Sequence, residues 1–154
     1  MSTATKVERP AGTGWVIAIL IFGVLATIAY WVVWFGVDRD ILASAHTTEY
    51  YAFENSFPLA DAWMVVAGGS ATWALWRRRA VSFFWCVASG AISIYLGALD
   101  VLFDLENGIY TASDGNTSGL VVELIINALT LTLGAVVLIW AWAQRRQLLR
   151  LGGF

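Results

Sequence analysis

The sequence predicts an all-α protein: an antiparallel bundle of four transmembrane helices with both termini on the cytoplasmic side. Three observations predict it. Hydrophobic residues make up 59% of the 154 positions, charged residues only 13%, and the mean hydropathy is +0.70, whereas a soluble domain carries about 25% charged residues. Four apolar runs are each long enough to cross a bilayer core, which takes about 20 residues. The cations are segregated: all of the nine Lys and Arg except Arg39 fall on one side of the spans so drawn.

The same figures exclude other classes. Nine basic residues against eleven acidic ones give a net charge of −2, with no surplus to hold the phosphates of nucleic acid. One cysteine and two prolines leave no disulfide framework and no CxxC motif. One histidine excludes a site built from several imidazoles. No nucleophile–base pair, GxSxG or HExxH motif is present.

The first span is expected at about 15–37, without a charge. At about 23 residues it is too long for the apolar core of a cleaved signal peptide, which runs about 7–15. Residues 41–54 follow as a short interfacial helix, because Leu42, Ala45, Tyr50, Phe53 and Phe57 recur at near-helical spacing with Asp40, Ser44, Thr47 and Thr48 between them. Ser56 reads as an N-cap and Pro58 suits a first helical turn, opening a second span at 57–76 with one charge, Asp61. Arg77-Arg78-Arg79 ends it. The third span, 80–103, carries Asp100, and the fourth, 119–143, carries Glu123. The Gly-, Asn-, Asp- and Thr-rich stretch 104–118 reads as a turn region. The chain is thus one membrane domain, 1–154.

Orientation follows from the cations. Lys6 and Arg9, the triple arginine, and Arg145, Arg146 and Arg150 mark the cytoplasmic side by the positive-inside rule. Ten of the eleven acidic residues, all but Glu8, lie on or near the other side. Trp15, Trp73, Trp76, Trp85, Trp140 and Trp142 cluster near the inner boundary, and Trp31, Trp34 and Trp63 near the outer one, the two depths that amphipathic rings favour. The expected location is a plasma membrane, of the bacterial inner-membrane type.

Helical stripes give the candidate site. Ser89, Ser93, Gly97, Asp100 and Asp104 share one face of the third span, and Glu123, Asn127, Thr130 and Gly134 one face of the fourth. Asp61, Gly68 and Thr72 are co-facial on the second span, as are Gly23, Thr27, Tyr30 and Trp34 on the first. At a rise of about 1.5 Å per residue, Asp61, Asp100 and Glu123 each lie roughly 5–6 Å below the outer end of their span. Glu54 and Glu106 sit just above that layer. Carboxylates so placed must be relieved by protonation, a bound cation or water.

The expectation is an outward-facing acidic pocket formed by Asp61, Asp100, Asp104, Glu123 and Asn127, binding a cation or small ligand, with a divalent cation as the candidate cofactor. Two other readings stay open: a lipid-modifying enzyme using these carboxylates as general acid and base, and a structural subunit of a membrane complex. The expected partners are membrane lipid and a second copy or another membrane subunit. A further pattern, Asp114, Asn116 and Ser118 with Gly119 at the sixth position, matches the start of a calcium loop. Its twelfth position is Ile125 rather than Glu, so a plain turn is the simpler reading. His46 reads as a lone exposed histidine and Cys86 as a small apolar filler.

Overall fold

A computed structural model describes residues 8–111 and 117–152. Among these residues every regular element is helical. The long helices are α1 (Thr13–Gly36), α3 (Pro58–Trp76), α4 (Ser82–Glu106) and α5 (Thr117–Ala143), with two short ones, α2 (Thr48–Glu54) and α6 (Arg145–Leu148). Of the long four, α1, α4 and α5 are long and apolar enough to cross a membrane. α3 has 19 residues, and Asp61, Gly68, Gly69, Ser70 and Thr72 lower its apolar character.

The long helices pack in the order α1–α3–α4–α5, while α1 meets α5 only sparsely. The tightest seam lies between α4 and α5. A Cβ built on Gly90 would stand 2.8 Å from the Gly134 carbonyl oxygen, and one on Gly134 would stand 2.8 Å from Ser93 Cβ. Two backbones that close require the missing side chains. Gly97 against Leu131 and Gly68 against Val24 are similar, looser contacts. Outward, α1 presents Ile21, Phe22, Leu25, Ile28, Val32 and Phe35, all exposed. An unbroken apolar surface of this kind suits hydrocarbon rather than water.

One end of the molecule gathers the arginines. The Arg9 guanidinium donates to the Trp76 carbonyl at 3.0 Å, and the Trp140 indole donates to the Ala11 carbonyl at 2.8 Å. The chain reverses at Arg78 with φ 53°, and Leu148 and Leu151 pack against Leu75, Cys86 and Ala141 in one buried cluster. The segments carrying Arg9, Arg77–Arg79 and Arg145–Arg150 therefore meet at that end.

The opposite end differs from the sequence reading. The single helix expected at 41–54 is two pieces: a 3-10 turn at Arg39–Ile41 and α2 at Thr48–Glu54, joined by non-helical chain. The break has a local cause. Thr47 is extended and its hydroxyl oxygen accepts from the Tyr50 amide at 3.1 Å, so a new helix starts there. Ser56 closes α2 instead of opening α3, donating to the Phe53 carbonyl at 2.6 Å, and Phe57 takes the N-cap position before Pro58.

This segment is a lid rather than a surface helix. Ala43, Ala45 and Tyr50 are buried in a cluster with Trp34 and Ile109, and the Phe53 ring stacks on Phe103 with centroids 3.8 Å apart. At the same end α4 runs on to Glu106, so Asp104 is helical rather than part of a turn.

Candidate functional site

Beneath the lid, three segments bring acids together. Glu54 comes from the last turn of α2, Asp100 from α4 and Glu123 from α5. One carboxylate oxygen from each lies within 4.8 Å of the others. At such a distance and an effective dielectric of about 20, each pair of like charges repels by about 3–4 kcal/mol. Among the described residues no basic side chain lies within salt-bridge distance of this trio; Arg39 and His46 instead reach Asp40 at 4.0 Å on the exposed rim.

Hydroxyl groups partly offset the charge. Tyr50 Oη and Ser44 Oγ donate to Glu123 Oε2 at 2.8 and 2.9 Å, and Tyr30 Oη donates to Glu54 Oε2 at 2.9 Å. Burial, with Glu54 and Glu123 nearby, pushes the Tyr50 phenol up, so it stays a donor. For Glu54, burial first and Glu123 second push the carboxyl up to about 8, against a lowering by the Tyr30 hydrogen bond.

Glu54 thus ties stability to pH. Its folded value of about 8 exceeds the ordinary 4.5, so the folded chain keeps a proton that the unfolded chain has already lost. That contribution is full below the ordinary value and disappears as pH rises through about 8. The expected result is a melting temperature that falls across this window, with a flatter profile in Glu54→Gln. Parallel profiles of variant and parent would show that Glu54 is not the group responsible.

Asp104 and Asn127 form a second unit. The Asn127 amide donates to Asp104 Oδ2 and to Tyr110 Oη, both at 3.2 Å. Asp104 is 1% exposed and Asn127 3%, yet Asp104 Oδ1 and Asn127 Oδ1 have no hydrogen-bond partner. A buried acceptor left unpaired costs about 1–3 kcal/mol, so these atoms call for a donor.

A cavity of about 190 Å³ joins these groups to the middle of the molecule. Of the residues expected in the pocket, Asp61, Asp100, Glu123 and Asn127 line it, while Asp104 stands behind Asn127. Asp61 lies outside the trio, and the Trp31 indole donates to its Oδ2 at 2.8 Å. Glu54 also lines the cavity, a placement that helical stripes do not reveal because it depends on the lid folding back.

The calcium-loop positions Asp114 and Asn116 lie outside the described residues, and Ser118 falls in the first turn of α5. His46 is exposed and its Nδ1 lies 2.8 Å from Tyr51 Oη. Cys86 is buried in the apolar cluster at the arginine-rich end.

No protein-family model, curated protein or solved structure matches the chain. Around the acidic trio the donors are oxygens of carboxylates, an amide and phenols, and Met64, whose sulfur accepts from Ser93 Oγ at 3.2 Å, adds a thioether to the lining. The oxygen set takes protons, hard metal ions or ammonium groups.

Proposed function

We propose that the chain is a four-span protein of a plasma membrane, with both termini in the cytoplasm, that binds a positively charged ligand in the acidic cavity near its outer face. The observation that carries this reading is the approach of Glu54, Asp100 and Glu123 to within 4.8 Å without a neighbouring cation among the described residues. Three segments far apart in sequence converge there, and the site is relieved either by the proton that Glu54 keeps or by a bound positive charge that displaces it. The gathering of arginines at the other end favours the orientation. α3 completes the four spans: at about 1.5 Å per residue its 19 residues reach roughly 28 Å, with Asp61, Ser70 and Thr72 half-buried.

The test is thermal melting of the purified protein with calcium, manganese or methylammonium, beside an Asp100→Asn/Glu123→Gln double variant. A ligand present at about 100 times its Kd stabilises by about 2.7 kcal/mol, or roughly 5–11 °C for a chain of this size. At least one of these cations should give that shift in the parent and none in the double variant. A parent indifferent to all three overturns the reading.

Sidedness has its own test. A membrane-impermeant thiol reagent added to intact cells should label Glu49→Cys, on the exposed face of α2, and not Arg77→Cys. Cys86, being buried, gives little background. Labelling of Arg77→Cys alone would invert the topology.

A further inference from the structure

We propose that the positively charged ligand is a single-chain amphiphile with a protonated amine head, admitted sideways from the hydrocarbon between α1 and α5. This rests on the cation-binding reading above and names the ligand class.

The cavity has two unlike ends. Glu54, Asp100, Glu123 and Asn127 line one; Leu20, Gly90 and Val137 line the other. From Glu123 to Val137 along α5 is fourteen residues, roughly 21 Å at about 1.5 Å each. A bare ion needs only the acidic end. The long apolar arm has a use only if the charge carries a hydrocarbon chain. Its volume of about 190 Å³ exceeds the roughly 150 Å³ of an apolar cavity that admits benzene.

The way in is lateral. Above the acids the lid is closed: Ala43 and Tyr50 are fully buried and Glu123 is 4% exposed. Between α1 and α5, by contrast, Phe22 and Leu129 line the cavity and are also 50% and 38% exposed, so the cavity reaches the outer surface there. Both residues sit near the middle of their helices, at the depth of the acyl chains. Gly23 widens the slot, since a Cβ there would meet nothing within 4 Å. An opening at that depth admits what dissolves in hydrocarbon far faster than a hydrated ion.

The head group follows from the acceptors. Glu54, Asp100 and Glu123 accept, and Asn127 Oδ1, in a side chain 3% exposed on the cavity wall, has no partner. A primary ammonium brings three N–H donors and a positive charge. A quaternary ammonium brings the charge without donors, and a phosphate head group is repelled. The Tyr30 and Trp31 rings, which also line the acidic end, add faces attractive to a cation.

The test uses a dodecylamine carrying a diazirine near its tail, with the protein in zwitterionic lipid nanodiscs. Light should attach it to α5 around Leu133–Val137. Excess dodecylammonium should suppress this labelling at least tenfold, and dodecanol or dodecyltrimethylammonium much less. Asp100→Asn/Glu123→Gln should lower labelling at least tenfold, and so should Gly23→Leu, whose Cβ meets nothing within 4 Å and whose branch extends into the slot. Melting curves confirm that both variants fold.

Equal suppression by dodecanol, or full labelling in the double variant, overturns the amine head. Full labelling in Gly23→Leu overturns the lateral entry. No labelling of the parent, alongside a melting shift by calcium, manganese or methylammonium, removes this inference and leaves cation binding standing. Absence of both removes the two together.

Discussion

Gly90→Leu is expected to lower stability by about 3 kcal/mol or more, toward the upper end of what overpacking does, and to drop the melting temperature by roughly 6–12 °C. The reason is the seam between α4 and α5. A Cβ at this position would stand 2.8 Å from the Gly134 carbonyl oxygen, 2.9 Å from Leu138 Cβ and 3.0 Å from the Leu138 amide nitrogen. Two of these are backbone atoms, which cannot swing away as a side-chain tip does. The helices must separate, and with them the faces that carry Asp100 and Glu123. Gly69→Leu is the control, because a Cβ there meets nothing within 4 Å. Equal melting of the two variants would mean that the backbones are not in contact.

Tyr50→Ala should cost about 3–5 kcal/mol, the usual range for removing a fully buried aromatic ring. Tyr50 is 0% exposed and joins the lid to α5 through its 2.8 Å hydrogen bond to Glu123. Its ring also faces Phe103 of α4 at 6.3 Å. Tyr50→Phe keeps the ring and removes the donor, leaving Glu123 short of one partner, and should cost about 1–3 kcal/mol. Hydrogen exchange locates the damage: protection in 38–57 should fall sharply in Tyr50→Ala and less in Tyr50→Phe. Unchanged protection in Tyr50→Ala would show that the lid does not depend on this residue.

The long helices were legible because bilayer-length apolar runs leave few alternatives. Their polar stripes were legible too: Asp100 with Asp104, and Glu123 with Asn127, follow from helical spacing alone. What escaped was the material between spans. Leu42, Ala45, Tyr50 and Phe53 have the spacing of one amphipathic helix, yet Thr47 caps a new helix and splits the run. The apolar residues then turn inward over the core instead of outward toward the interface.

Glu54 escaped for the same reason. Depth counted along a span puts it just above the acidic layer, whereas the folded lid brings it level with Asp100 and Glu123. Gly90 escaped because its neighbour Ser89 belongs to the small and polar stripe. Only the actual approach of α5 shows that the adjoining position needs the smaller residue.

The uneven seams imply an order of mechanical yielding. α4 and α5 touch backbone to backbone around Gly90 and Gly134, while α1 leans mainly on α3 and barely meets α5. Under a pulling force applied at the N-terminus, α1 should peel off as a separate early step, and the α4–α5 hairpin should give way last.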